Sequence, residues 1–256
     1  MAHWPDRLAA TLDKAVPIEK RSRLAPEETM MRYLLPGEGR PVVVTDAQDS
    51  WKARELWTLD FFKERFSAEP LIASDRAPLR PEDNPRMQTL RTTLGEYISY
   101  MQHGVDHPIA RQERDAPFYG NSWCPFIEHE ELRAHISRPY FVPDAIPSDG
   151  EHARLDRSLN KIFLGPAGTV TRLHNDTYHT SAWLSQIRGT KQFILYPPSQ
   201  ASLIHAGEGI ESPQLNSPRA HTKCEQSWFD PLAPDYARFP RARQATPYVA
   251  VCEPGG

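Results

Sequence analysis

His174 and Asp176 are a histidine and a carboxylate two residues apart, a spacing that suits metal chemistry. In an extended strand, residues i and i+2 project from one face. An imidazole nitrogen and a carboxylate oxygen placed that way can share one divalent ion. Fe(II), Mn(II) and Zn(II) all accept such donors, so ligand type alone does not select iron. Downstream, Lys191 opens the run Lys191-Gln-Phe-Ile-Leu-Tyr196 and by alternation shares a face with Phe193 and Leu195. A charged amine on a core face needs an anion, because an unpaired buried charge is costly. A dicarboxylate that chelates the ion at one end and meets Lys191 at the other satisfies both demands. The plainer alternative is a lysine that reaches from the strand start to water.

These side chains must be held by strands. Leu159–Leu164 reads as a strand and Pro166–Thr169 as a turn. The segment carrying His174, the run Ser181–Arg188 and Lys191–Tyr196 read as three more strands, the last two joined by the turn Arg188-Gly189-Thr190. Residues 199–244 form a long polar, proline-containing excursion, a capping or functional loop. Pro247–Cys252 is a final strand, followed by the turn Glu253–Gly256.

The first half is mixed. Residues 6–35 are expected to be helical, with Leu8, Leu12 and Ala15 on one stripe and Met30, Met31, Leu34 and Leu35 in a second cluster. Arg40–Thr45 reads as a strand, and Trp57–Phe66 as a helix capped by Thr58. Pro70–Ser74 is a strand, 75–91 a loop, and Leu94–Met101 a helix. Asp115–Trp123 reads as a strand bent at Gly120, Phe126–Ile136 as a short helix, and 137–157 as a polar loop.

Composition narrows the function classes. A chain of 256 residues fits one large β domain with helical additions or two small domains. Its 39% hydrophobic and 25% charged residues are ordinary for a globular protein, and its 25 prolines are scattered rather than repeated. Net charge is −3 with no basic block, which argues against nucleic-acid binding through phosphate contacts. No apolar run approaches the roughly 20 residues of a membrane span, and the N-terminus lacks a signal-peptide core. Three dispersed cysteines make no zinc pattern and suit the cytoplasm.

The segment Gly165-Pro-Ala-Gly-Thr-Val-Thr-Arg-Leu-His-Asn-Asp176, followed by Thr180-Ser-Ala-Trp183, Gly189-x-Lys191 and Leu195-Tyr-Pro-Pro198, resembles the JmjC/cupin-like 2-oxoglutarate oxygenases, in their protein-hydroxylase branch. Pro41-Val-Val-Val44, Trp57-Thr-Leu-Asp-Phe61, Phe229–Pro240 and Glu253-Pro-Gly255 extend the likeness over nearly the whole chain. The resemblance implies a mainly β chain with N-terminal helices, built as a double-stranded β-helix, or jelly-roll. It implies one domain over 1–256, with 1–157 as an α/β portion and cover and 158–256 as the first part of the β-helix core. His174 and Asp176 then look like Fe(II) ligands, and Lys191 like the anchor of the distal carboxylate of 2-oxoglutarate, assisted by the hydroxyls of Thr171 and Tyr119. Thr171 lies three residues before His174, so it shares that face only if a bulge intervenes. Trp183 is expected in the core, and Leu184 stands where some relatives carry an asparagine.

The third ligand implied is a histidine beyond Gly256, so the sequence reads as truncated and the barrel as lacking its last strands. His179, His205 and His221 are not favoured as replacements. The implied activity is hydroxylation of a C–H bond of a protein side chain or small molecule, with a homodimer possible in a longer form. The alternative is a non-catalytic cupin-like binding module.

Overall fold

β-Branched runs and hydroxyl caps set the elements of the computed structural model, which describes residues 14–75, 88–114, 116–142, 160–176, 181–208 and 226–255. The strands are β1 (Val16–Pro17), β2 (Glu19–Arg21), β3 (Val42–Val44), β4 (Pro70–Ser74), β5 (Thr89–Thr93), β6 (Tyr119–Trp123), β7 (Ile162–Leu164), β8 (Lys191–Leu195) and β9 (Tyr248–Cys252). The α-helices are α1 (Pro26–Glu28), α2 (Ala53–Leu56), α3 (Leu59–Phe66), α4 (Leu94–His103) and α5 (Glu130–Arg133). The described chain is thus mainly sheet with few helices. None of its helices is long and apolar enough to cross a membrane.

Two sheets carry the candidate site. One is four-stranded and antiparallel, in the order β5-β4-β6-β7. The other is three-stranded, in the order β1-β9-β8, with β1 parallel to β9 and β8 antiparallel to it. In the second, Lys191 lies opposite Cys252 and Leu195 opposite Tyr248. A parallel pair, β2 with β3, sits beside it. Ile18, between β1 and β2, packs with Val43, Ala250 and Cys252 and joins the pair to the three-stranded sheet.

A helical layer backs the four-stranded sheet. The Thr58 side chain accepts from the Phe61 N–H at 3.1 Å and so starts α3, as its sequence predicts. Thr93 does the same for α4, accepting from the Glu96 N–H at 3.3 Å. Phe62 and Phe66 of α3 and Leu94, Tyr97 and Ile98 of α4 are buried against Leu71, Ala73 and Trp123 of the sheet. Phe62 meets Trp123 edge-on at 5.5 Å between centroids. Burial of each such apolar side chain contributes about 1.5–3 kcal/mol.

Three expectations need correction. Residues 14–24 are not helical: they form β1 and β2, with the Val16 N–H donating to the Pro247 carbonyl at 2.9 Å and the Ile18 N–H to that of Val249 at 2.8 Å. Pro17 lacks the N–H that a helix interior uses, and helix begins only at Pro26, a favoured first position, running through α1 into a π-turn over Thr29–Leu34. Residues 6–13 of that expected helix lie outside the described residues. The end of the expected 75–91 loop belongs to β5, where threonines fit the pleated surface and pair with β4. The run 181–188 is extended but not laddered. There the Trp183 indole donates to Ser185 Oγ at 2.8 Å, while the Arg188 carbonyl accepts from the Gln186 amide at 2.6 Å and the Gln186 carbonyl from the Gly255 N–H at 3.0 Å, backbone acceptors taken outside any ladder. Trp183 packs edge-on against Phe141 at 4.6 Å, beside a core cluster as expected. Gly189 turns the chain into β8 at φ +69°, a backbone angle that glycine adopts readily.

Candidate metal and carboxylate site

The segment before His174 is fixed by residues 226–228. His174 forms an isolated antiparallel bridge with Gln226, and the Ser227 N–H donates to the Leu173 carbonyl at 3.0 Å. Arg172 is buried, with its guanidinium 5.6 Å from the Trp228 ring centroid. The strand expected around His174 is therefore a single bridge, yet the alternation argument holds for the pair itself. His174 Nε2 lies 3.7 Å from Asp176 Oδ1. On its other side, Nδ1 of His174 lies 2.9 Å from the Arg172 carbonyl, an acceptor that calls for a proton on Nδ1. That tautomer leaves the Nε2 lone pair directed toward the carboxylate, the state required of a metal ligand. Two donors held at about 2.1 Å by one ion lie at most about 4.2 Å apart, so the separation is compatible with a shared ion. Both side chains are solvent-accessible, at 33% for His174 and 51% for Asp176.

Lys191 and Tyr119 form the second pair. Lys191 begins β8 and Tyr119 begins β6, so the two come from different sheets. The lysine Nζ donates to the Tyr119 hydroxyl at 2.9 Å. The same ammonium stands 5.3 Å from the Tyr119 ring centroid, 5.6 Å from that of Phe163 and 5.5 Å from that of Phe193. The Tyr119 and Phe163 rings stack at 5.9 Å with 28° between planes. Gly165 lets the chain pass against this ring: a Cβ there would meet Tyr119 Cδ2 at 2.8 Å. Among the described residues no carboxylate lies within ion-pairing distance of Lys191. The Tyr119 ring is met at its hydroxyl edge, whereas the rings of Phe163 and Phe193 attract the charge by about 0.5–2 kcal/mol each but do not neutralise it. Across the strand pair, burial pushes the Cys252 thiol up, against a smaller opposing effect of the ammonium groups of Lys20 and Lys191.

Among the predicted residues, the structure brings His174 together with Asp176, and Lys191 together with Tyr119. Thr171 is exposed and has no hydrogen bond to Lys191 or Tyr119. Sequence reading missed Phe163 as a wall of the lysine site, although it alternates with the buried Ile162 and Leu164 of β7. A separate group of possible metal donors, Glu69, Glu128 and His129, lies beside the helical layer. His129 Nε2 is 3.1 Å from Glu69 Oε1 and its ring meets Phe66 edge-on, which an ordinary histidine–carboxylate pair accounts for. Among the described residues no third histidine, cysteine or carboxylate joins His174 and Asp176 within ligand distance.

A family profile described as a cupin-like domain matches residues 26–256. The lysine-specific demethylase JMJ30 of Arabidopsis thaliana is 32% identical over 182 residues, 70% of this chain and 37% of that protein. The 2-oxoglutarate and iron-dependent oxygenase JMJD4 of Gallus gallus is 24% identical over 235 residues, 88% of this chain and 50% of that protein. The human bifunctional peptidase and (3S)-lysyl hydroxylase JMJD7 is 23% identical over 237 residues, 80% of this chain and 66% of that protein. The chain spans half or less of the length of most such relatives, down to 21% for the Arabidopsis demethylase JMJ21. With the profile matching nearly all of its length, the chain belongs to the cupin-like domain family.

Proposed function

We propose that the chain is the catalytic domain of an Fe(II)- and 2-oxoglutarate-dependent oxygenase acting on a protein side chain. The observation that carries this reading is Lys191: a half-buried ammonium beside the rings of Phe163 and Phe193, hydrogen-bonded to the Tyr119 phenol and without a carboxylate partner among the described residues. Such a site fits one end of a dicarboxylate. Relatives named for 2-oxoglutarate and iron, and for lysyl hydroxylation or demethylation, support both the cosubstrate and a protein substrate.

The residues present fit both groups. His174 Nε2 and Asp176 would hold Fe(II), and Lys191 and Tyr119 the distal carboxylate of 2-oxoglutarate. Bound together, the ion and the keto acid would activate O2, one oxygen atom going into the succinate formed with loss of CO2 and the other into the substrate C–H bond. The chain's own part is positional. The Arg172 carbonyl holds the proton of His174 on Nδ1 and frees Nε2. Tyr119 accepts from Lys191, so its own hydroxyl proton is available to a second carboxylate oxygen. Phe163 and Phe193 cover part of the ammonium, which strengthens its attraction for an anion. The exposed Thr171 hydroxyl is assigned a supporting role toward that carboxylate. The remaining protein ligand to iron is assigned to a residue outside the described ones. We further read 1–256 as one domain whose two sheets are facing walls of a double-stranded β-helix, and place it in the cytoplasm on its dispersed cysteines.

The test is turnover of 2-oxoglutarate to succinate with Fe(II) and lysine- or arginine-containing peptides. Turnover that His174→Ala abolishes is expected. Turnover unchanged by that substitution, or absent in the unsubstituted protein, would overturn the reading in favour of a non-catalytic binding module.

A further inference from the structure

Tyr97 and Tyr100 stand three residues apart on α4, hence on one helical face, and both are buried, at 0% and 1% exposure. A buried phenol needs a polar partner for its hydroxyl. Here the partners belong to the backbone on either side of Tyr119. The Tyr97 hydroxyl accepts from the Gly120 N–H at 3.0 Å. Its single proton is shared between the Phe118 carbonyl at 2.7 Å and the Leu164 carbonyl at 2.9 Å. The Tyr100 hydroxyl accepts from the Phe118 N–H at 3.2 Å and donates to the Glu113 carboxylate.

This arrangement replaces part of a strand ladder. The β6–β7 register shifts between Gly120 and Trp123, so the ladder is irregular just beyond Tyr119. The Tyr97 phenol stands at the edge of this irregularity, bonding the chain on both sides of Tyr119 and β7 at Leu164, the register partner of Gly120. Gly120 is fitted to this role: a Cβ there would stand 3.1 Å from Tyr97 Cε1 and 3.2 Å from Leu71 Cδ2. Burial pushes the Tyr97 phenol well above its ordinary range, so it stays neutral and keeps the proton it donates. With Phe118 and Gly120 both anchored, the Cα of Tyr119 is fixed, and its ring reaches Lys191 between Phe163 and the Gly165 backbone.

We propose that Tyr97 is a positioning residue for the cosubstrate: acting through the backbone of Phe118 and Gly120, it holds the Tyr119 hydroxyl against Lys191 and so sets the affinity for 2-oxoglutarate. The inference rests on the reading of Lys191 and Tyr119 as carboxylate anchors. It separates two properties of one site, because the His174–Asp176 pair is braced by residues 226–228 and owes nothing to α4.

The test is calorimetric titration of the Mn(II)-loaded protein with 2-oxoglutarate, and of the metal-free protein with Mn(II). In Tyr97→Phe the Kd for 2-oxoglutarate rises by about tenfold, as expected for a lost polar interaction, while that for Mn(II) stays within about twofold. Tyr119→Phe shows a similar selective loss, and the double variant binds no worse than Tyr119→Phe alone, because the two substitutions act through one hydroxyl. A purely structural Tyr97 would weaken both ligands, or add its effect in full to that of Tyr119→Phe, and either result overturns the proposal, as does wild-type affinity in Tyr97→Phe. Should Tyr97→Phe fail to fold, Gly120→Ala presses on the same ring, and wild-type affinity for 2-oxoglutarate in that variant would overturn the proposal. Unchanged affinity in Lys191→Ala would overturn the carboxylate reading itself, and this inference with it.

Discussion

Lys191 donates to the hydroxyl of Tyr119 across the space between two sheets, at 2.9 Å. One residue opens β8 and the other opens β6, so the contact depends on how the sheets face each other and not on either strand alone. An ammonium placed this way offers its remaining protons to an anion, and a phenol that already accepts from the lysine offers its own.

Removing the charge tests this directly. Lys191→Met keeps much of the aliphatic packing against Phe163 and Phe193 and deletes the ammonium. Affinity for 2-oxoglutarate is expected to fall by about 1.5–3 kcal/mol, the range for a hydrogen bond to a charged group. Mn(II) affinity is expected to persist, and a parallel loss of both would show that the fold, not the charge, had changed.

The metal pair has its own signature. His174→Ala and Asp176→Ala each remove one donor, and Mn(II) binding followed by electron paramagnetic resonance is expected to weaken by at least about tenfold in either variant. Retention of Mn(II) at wild-type affinity in both would remove these residues from the metal site.

Gly165 provides a steric probe that removes no polar group. A Cβ at this position meets Tyr119 Cδ2 at 2.8 Å and Thr169 Oγ1 at 2.8 Å. Gly165→Ala is expected to displace the Tyr119 ring from Lys191 and to raise the Kd for 2-oxoglutarate, with overpacking costing about 1–3 kcal/mol of stability. Wild-type affinity in a folded Gly165→Ala protein would show that the ring position is not limiting.

The helical layer predicts a pH effect. Nδ1 of His135 accepts from the Trp57 indole N–H at 3.0 Å, which requires an unprotonated Nδ1. Burial first, then the charges of Lys52 and Arg65, hold this imidazole below its ordinary range. A depressed folded-state pKa means that the unfolded chain binds the proton more readily. The stability from this group is therefore complete above about pH 6.5 and declines as pH falls through the folded-state value. Urea unfolding between pH 7.5 and 5 should show that decline, with a shallower slope in His135→Gln, and equal slopes would assign it to other groups.

Thr58 is a simpler case. Thr58→Ala removes the side chain that accepts from the Phe61 N–H, and about 1 kcal/mol of stability should be lost, or roughly 2–4 °C in Tm for a protein of this size.

Sequence patterns succeeded where one residue dictates its neighbours. The cap at Thr58, the turn at Gly189, the strands at Val42–Val44 and Pro70–Ser74, and the His174–Asp176 convergence all follow from local rules. They failed where the deciding partner is distant. Val16 and Pro17 are strand because Tyr248 and Val249 lie beside them, a pairing that no periodicity near residue 16 reveals. The run 181–188 alternates like a strand, but its Gln186 carbonyl accepts from the distant Gly255 N–H and its Arg188 carbonyl from the Gln186 side chain, so neither joins a ladder. No sequence signal marked Tyr97 and Tyr100, and only the tertiary structure shows that their hydroxyls grip the chain around Tyr119.

The parallel pairing of β1 with β9 has a consequence for synthesis. Val16 meets Tyr248 and Pro17 meets Val249, so the earlier of these strands waits for one made far later. Chains grow at about 5–20 residues per second, so that wait is on the order of tens of seconds. Until then β8, with Lys191 at its head, also lacks its neighbour β9. The helical layer and the β4–β5 hairpin, made of nearby residues, can consolidate while translation continues. The lysine strand thereby gains its neighbour only once residues 248–252 are made, and a chain that stops before residue 248 leaves β1 unpartnered.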